Sequence, residues 1–271
     1  MYEFRYRRAG SVDEAAALLT ADADAMILSG GQTLLPTLKL RMGQPTQLID
    51  IARVSALRGI RLDDGTLTIG ATTTHAAVAE SAEVRRAVPA LAHLAAGIGD
   101  PLVRNRGTIG GSLAYNHPGA DYPAAVLGLD ATITTNRRQI GSDEFLQGML
   151  DTALQPGEII VAISFPIPRR AGYLKFRSPG SGYVLTGAFV AETAGGVRVA
   201  INGAAPCAFR HADFEQALTA NFSTAALDGI GVPEDELLED LHAAPDYRAR
   251  LACVAVSRAV DQARGHGPGA E

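Results

Sequence analysis

Residues 28–41 read LSGGQTLLPTLKLR: an apolar run, AMIL, is followed at once by Ser29 and two adjacent glycines, then by an amide, a hydroxyl and two leucines. A strand ending in a glycine turn can turn backbone N–H groups outward without side-chain clash, and such groups cradle an anion such as a pyrophosphate. Gly30 and Gly31 would allow the approach, Gln32 and Thr33 would add polar groups, and Leu34 and Leu35 would anchor the turn. Neither the G-x-x-x-x-G-K-[ST] phosphate loop nor the G-x-G-x-x-G dinucleotide fingerprint is present here. Taken alone, the glycine pair fits an ordinary tight turn as well.

A second stretch changes that balance. IGDPLVRNRGTIGGSLAYNHPGADYPA, from Ile98 to Ala124, brings Gly107, Gly110 and Gly111 together with Thr108, Ser112 and Asp121. It reads as another backbone-donor loop, and two such loops suit the charged spine of a dinucleotide.

The intervening sequence supplies elements of both kinds. SVDEAAALLTA carries Ser11 as a helix cap and Glu14 three residues on; QLIDIA and LTIGA read as strands, the latter after a DDG turn. A threonine, Thr72 or Thr74, caps TTTHAAVAES, and EVRRAVPALAHLAAGI is expected to be helical despite Pro89. EIIVAISFPI reads as a strand, and PIPRR then marks a boundary near 168–170. Beyond it, YLKFR, YVLTGAFVAE and GVRVAINGAA suggest antiparallel strands. FEQALTA, PEDELLEDLHAA and DYRARLACVAVSRAVDQA suggest helices, and ARGHGPGAE a loose tail.

Composition narrows the function classes. With 271 residues, 47% of them hydrophobic, the chain can bury a large core. A net charge of −5 gives no basic field for nucleic acid. Cys207 and Cys253 are the only cysteines, too few for a disulfide scaffold or a four-cysteine cluster, and are expected as buried thiols. No stretch has the length of a membrane span and the start is charged, which points to a cytoplasmic protein with no transmembrane segment.

The ordered set SGGQTLLPTLKLR, LIDI, IGATTTH, IGDPLVRNRGTIGGSLA, ADYPA and EIIVAISFP closely resembles the FAD-binding medium chains of the molybdenum hydroxylases, over almost the whole sequence. The resemblance implies an α+β protein: a PCMH-type FAD-binding region over 1–168, with subdomains of about 1–55 and 56–168, then a sheet-plus-helices flavoprotein domain over 169–262 and a tail over 263–271. It implies that FAD is held by Leu28, Ser29, Gly30, Gly31, Gln32, Thr33, Leu34 and Leu35. Thr108, Ile109, Gly110, Gly111 and Ser112 would lie along the diphosphate and ribityl region, with Asp121 on the polar spine. Ile98 and Ile160 match apolar positions lining FAD, and Lys175 matches a flavin-side lysine. Gln32 stands where carbon monoxide dehydrogenase relatives commonly carry histidine, and Ser112 where other branches carry asparagine; both remain polar.

The same resemblance implies partners. A small chain with two 2Fe-2S clusters and a large chain with a molybdenum-pterin cofactor would join this one in an αβγ assembly, or a doubled one, and an external acceptor would take the electrons. Substrate oxidation would then belong to the large chain, so no catalytic residue and no metal ligand is assigned here. The other readings are a stand-alone flavin enzyme and a structural subunit without FAD. Among nearby residues, Arg104 and Arg106 fit a cofactor contact or a solvated surface. His75 reads as a turn residue, His117 as a turn residue or a proton-transfer group, and Tyr115, Tyr122 and Tyr173 as packing or cofactor-border rings.

Overall fold

The computed structural model describes residues 1–265, so the expected tail lies, from residue 266 onward, outside the described residues. Among the described residues, three main sheets follow one another along the chain, with a separate two-stranded hairpin beside the second. The first contains β1 (Arg5–Arg8), β2 (Ala25–Leu28) and β3 (Gln47–Asp50), parallel throughout and ordered β1-β3-β2. Helices α1 (Val12–Ala21) and α2 (Leu34–Lys39) make the crossovers. The start of α1 follows its sequence: the Ser11 hydroxyl accepts the Glu14 amide at 3.1 Å, and the Glu14 carboxylate accepts the Gly10 amide at 2.8 Å. Sequence reasoning missed β1, whose RYRR side chains are all exposed, a charged edge strand that discourages further pairing. Because the strands are parallel, β2 delivers the chain to one end of the sheet, where the SGG bend begins. There Gly31 adopts φ +73°, a left-handed conformation that glycine reaches without a Cβ clash.

The second layer contains β4 (Ile60–Asp63), β5 (Thr66–Gly70), β6 (Thr132–Thr135), β7 (Gln139–Gly141), the hairpin β8 (Leu146–Gly148) and β9 (Asp151–Thr152), and β10 (Ile160–Pro166). Apart from that hairpin, the strands form one antiparallel sheet ordered β4-β5-β10-β6-β7. Asp64 and Gly65, at φ 44° and 75°, make the β4–β5 turn that DDG announces. With this sheet go α3 (His75–Glu80), α4 (Ala82–Ala87), α5 (Pro89–Ala96), α6 (Pro101–Arg104), α7 (Ile109–Tyr115), α8 (Tyr122–Gly128) and α9 (Ser142–Phe145). Of the two threonines considered as caps, Thr74 is the one, accepting the Ala77 amide.

The single helix expected through Pro89 is two helices. Proline lacks an N–H and disfavours helical backbone before it, so Val88 sits at φ −142°, ψ 76° and Pro89 opens α5. Alternate side chains of β5 and β10, including Leu67, Ile69, Ile163 and Phe165, meet Leu91, Leu94, Leu113 and Val126 in the main core. Each such side chain contributes about 2–3 kcal/mol by leaving water. A bulge between Ile160 and Ala162 shifts the register of β10 against β6 where the strand enters the site described below.

The third sheet is antiparallel, ordered β11 (Arg170–Arg177), β12 (Val184–Thr193), β13 (Gly196–Asn202) and β14 (Phe209–Arg210), with helices α10 (Ala212–Ala220) and α11 (Pro245–Ala263). Eight successive residues of β12 are buried because α11 packs on one face and α8 reaches the other. The alanine-rich stripe Ala252, Ala255 and Ala259 gives α11 the close approach this requires. The helix expected at PEDELLEDLHAA does not form. Its carboxylates repel one another at helical spacing, and the one ion pair they make among the described residues is Asp240 with Arg248, at 2.7 Å. Cys207 and Cys253 are free and half-buried rather than enclosed. Buried Arg198 joins the second layer to the third, donating to the Leu127 carbonyl at 2.6 Å and pairing with Asp130 and Asp143.

Candidate functional site

The three layers enclose a cleft of about 530 Å³, within the range of small-molecule and cofactor sites. Ser29, Gly30, Gly31, Gln32, Thr33 and Leu34 form one wall. Ile98, Thr108, Gly110, Gly111, Ser112, Asp121 and Ile160 line the rest from other elements. Residues scattered over 130 positions of sequence are thus brought to one cavity. Four expected residues do not line it. Leu28 and Leu35 pack behind Gly31, Ile109 is wholly buried in the core, and Lys175 stands behind Asp121.

The first bend has free donors. Among the described residues, the amides of Gly30, Gly31, Gln32 and Thr33 give no hydrogen bond to the chain, and Thr33 opens α2 without a side-chain cap. Gly30, Gly31 and Thr33 are half-buried and Gln32 is exposed, so these unpaired amides at the start of α2 are open to an acceptor in the cleft.

The second bend is different, and here the donor-loop expectation is corrected. Thr108 caps α7, and the residues after it are the first turn of that helix. Their amides are already engaged: Ile109 donates to the Thr73 carbonyl at 3.1 Å, Gly110 to the Ala71 carbonyl at 2.9 Å, Gly111 to the Thr108 hydroxyl at 3.2 Å and Ser112 to the Thr108 carbonyl at 3.0 Å. The glycines serve close packing instead. A Cβ on Gly110 would stand 2.6 Å from that of Ala71, and one on Gly30 would collide with the Arg106 carbonyl and come within 2.8 Å of Gly107 Cα. Only Gly111, exposed toward the cleft, has a free face, limited by the Thr108 hydroxyl at 2.9 Å. A bond of 2.9 Å between Ser29 Oγ and Thr108 Oγ1 ties the two bends together.

Electrostatics distinguish the deeper residues. Asp121 is enclosed, and its Oδ1 accepts from Lys175 Nζ at 2.6 Å and Tyr173 Oη at 2.8 Å. Burial pushes its carboxyl upward and the Lys175 ammonium opposes this. Asp121 Oδ2 makes no hydrogen bond among the described residues, which leaves an acceptor on the cleft wall. Glu158 is held by Arg138 at 3.0 Å, Thr135 at 2.7 Å and the Gln155 amide at 2.8 Å, and is brought down to about 2, chiefly by the arginine. Its acceptors are therefore committed to the fold.

His75 is buried beside Gly107 and Tyr122, and lack of solvent, with Arg104 nearby, lowers it to about 4. Arg104 itself is turned inward, donating to the Ile98 carbonyl at 2.9 Å and so shaping the cleft wall, while Arg106 is exposed. Tyr122 is wholly buried and Tyr173 is taken up by Asp121; Tyr115 and Tyr183 border the cleft. The segment Ser181–Gly182–Tyr183 was not singled out from sequence, although the glycine-rich SPGSGY directly before a strand marks a turn there.

The residues fit a dinucleotide cofactor: a glycine bend with unspent amides, an uncommitted carboxylate oxygen and apolar walls share one cleft. The chain belongs to the family of FAD-binding medium subunits of molybdenum hydroxylases. The family model "FAD binding domain in molybdopterin dehydrogenase" matches residues 2–168. The carbon monoxide dehydrogenase medium chain of Hydrogenophaga pseudoflava is 36% identical, with 96% of each chain covered. The 6-hydroxypseudooxynicotine dehydrogenase complex subunit alpha of Paenarthrobacter nicotinovorans is 34% identical, over 96% of this chain and 94% of that one. The structure of reconstituted CO dehydrogenase from Oligotropha carboxidovorans superposes with a TM-score of 0.90 at 30% identity, covering 98% of this chain and 99% of that one. The α+β fold expected from the motifs is thus the family fold, and this is an FAD-binding subunit of a flavoprotein oxidoreductase family. No helix among the described residues is long and apolar enough to cross a membrane.

Proposed function

We propose that this chain is the electron-transfer subunit of a cytoplasmic molybdenum hydroxylase, taking electrons from 2Fe-2S clusters on a small partner chain and delivering them to an external acceptor. The large partner chain, with a molybdenum-pterin cofactor, oxidises the substrate, and the three form an αβγ or doubled αβγ assembly. Bound FAD supplies the exchange between one-electron and two-electron carriers.

The observation that carries this reading is the run of four unspent amides at Gly30–Thr33, in a chain of which 96% aligns with a medium chain. These amides hold the diphosphate, and Gln32 and Thr33 add side-chain donors. Ser112 and Asp121 Oδ2 bind the polar chain between diphosphate and ring, while Ile98 and Ile160 exclude water from apolar faces. Gly111 leaves room along the same path. Lys175 acts through Asp121, neutralising a carboxylate that would otherwise be costly to bury. The same reading divides the chain near residue 168, with the FAD region before it and the flavoprotein domain after.

Gentle purification of the native protein, with a visible spectrum and identification of co-purifying chains, tests the proposal. A three-chain complex whose bleached flavin spectrum returns on adding an acceptor is expected. A colourless chain that purifies alone, or one that turns over substrate without partners, would overturn it.

A further inference from the structure

The turn His117–Pro118–Gly119–Ala120 is held more firmly than its place between two helices requires. The Ala120 amide closes it onto the His117 carbonyl at 2.9 Å. The third sheet then clamps it: the Val184 amide donates to the Gly119 carbonyl at 3.1 Å, the Gly203 amide to the Pro118 carbonyl at 3.0 Å, and Asn202 Nδ2 to the Ala120 carbonyl at 2.7 Å. On this fixed base the imidazole of His117 neighbours two rings, Tyr115 at 6.0 Å and nearly parallel, and Tyr183 at 5.0 Å and tilted. All three rings line the cleft.

The hydrogen bonding of the imidazole decides its chemistry. The Gly119 amide donates to His117 Nδ1 at 3.1 Å. An amide is a donor only, so Nδ1 must keep its lone pair, and the ring's single proton belongs on Nε2. Protonating Nδ1 would set two N–H groups against each other and break that bond. Half-burial of the ring opposes a charge as well. The titratable groups packed on the imidazole are Tyr115 and Tyr183, and no carboxylate is among them. Nε2 has no partner among the described residues.

We propose that His117 is a fixed, neutral hydrogen-bond donor of the cleft, recognising through Nε2–H the carbonyl oxygen of a flat, carbonyl-bearing ring set against Tyr115 and Tyr183. The assignment rests on the flavoprotein reading. Two rings share this chemistry, the isoalloxazine of FAD and a quinone-class acceptor, and the donor is a positioning residue in either case. It does not carry a proton.

The test compares His117→Leu with His117→Gln, which keeps a side-chain N–H. FAD affinity is measured by fluorescence titration of the full chain, and KM for a water-soluble benzoquinone with the assembled enzyme. His117→Leu should weaken FAD binding about tenfold if the ring is isoalloxazine, or raise the benzoquinone KM about tenfold if it is the acceptor, with His117→Gln within about threefold of wild type in that measurement. The affected constant should be flat from pH 5.5 to 8 in the wild type. A His117→Leu variant with wild-type melting temperature and both constants unchanged overturns the proposal, as does a pH break near 6 that the substitution removes. Wild-type chain that takes up no FAD sinks the flavoprotein reading and this assignment with it, whereas wild-type affinity retained in His117→Leu, with benzoquinone KM also retained, sinks the assignment alone.

Discussion

Two neighbouring glycines in the first turn of α7 should respond in opposite ways to the same added methyl group. In Gly110→Ala the new Cβ would lie 2.6 Å from Ala71 Cβ and 2.7 Å from its carbonyl oxygen, about 1 Å inside normal contact. Ala71 cannot easily retreat, since its amide donates to the Val161 carbonyl at 2.9 Å and its carbonyl accepts the Gly110 amide at 2.9 Å. Overpacking of this kind costs about 1–3 kcal/mol and a weakened hydrogen bond about 1 more, against a gain of up to about 1 kcal/mol from alanine's helix preference. The net loss is about 2 kcal/mol, or roughly 4–8 °C in melting temperature for a chain this long. In Gly111→Ala the methyl group meets only the Thr108 hydroxyl and otherwise projects into the cleft. Stability should stay within about 1 kcal/mol, while FAD affinity falls about tenfold or more. Thermal melts of the FAD-free chain and fluorescence titration with FAD separate the two effects. A Gly110→Ala chain that melts with the wild type, or a folded Gly111→Ala chain that binds FAD as the wild type does, would refute the division of labour drawn here.

Three further outcomes follow from the charged residues. His75 stays neutral in the folded chain down to about pH 4 but titrates near 6.5 when unfolded, so the unfolded state binds more protons between those values. Stability should fall by about 3 kcal/mol as pH drops from 6.5 to 4, and urea titrations of His75→Gln should lack that slope. Glu158 has the opposite usual ionisation but the same direction: its contribution is complete above about 4.5 and is lost as pH falls toward 2, so Glu158→Gln should cost about 2 kcal/mol at pH 7 and progressively less in acid. Lys175→Met strands a buried carboxylate and should cost about 3–5 kcal/mol by chemical denaturation, with Asp121→Asn added to it recovering more than half.

The sequence announced features whose causes are local. The Ser11 cap with Glu14, the Asp64–Gly65 turn, the Thr74 cap and the left-handed Gly31 each depend on a few adjacent residues, and each stands where its residues require. What could not be read was set by neighbours remote in sequence. Nothing in TIGGS tells which glycine abuts Ala71 and which faces the cleft, because that depends on where Ala71 lies. The GG pairs look alike in sequence, yet one bend keeps its amides and the other spends them on Ala71, Thr73 and its own capping Thr108. Lys175 and Tyr173 converge on Asp121 across more than fifty positions. The failed helix over residues 233–244 has a different origin: its leucine spacing suited a helix, but its carboxylates outnumbered any nearby cation.

The unequal bends also explain why the site need not be assembled by its ligand. If both bends offered free amides, the empty cleft would carry two sets of unsatisfied donors, each seeking water or a false partner. Here α7 is satisfied internally and zipped to the 71–75 segment, with His75's amide on the Gly107 carbonyl at 2.9 Å, so the second bend is rigid before anything binds. The Ser29–Thr108 bond then sets the position of the first bend against that scaffold. On the proposed reading, affinity would be concentrated in the unpaired amides of the first bend, and ordering costs at binding would fall on one short segment. Ser29→Ala should therefore loosen FAD by removing the tie between the bends: an affinity drop of about threefold to tenfold, from a lost hydrogen bond of about 1 kcal/mol, with the melting temperature of the FAD-free chain changed by no more than a few degrees. Undiminished FAD affinity in that variant would mean that the first bend holds its shape alone and that the tie between the bends contributes nothing to the site.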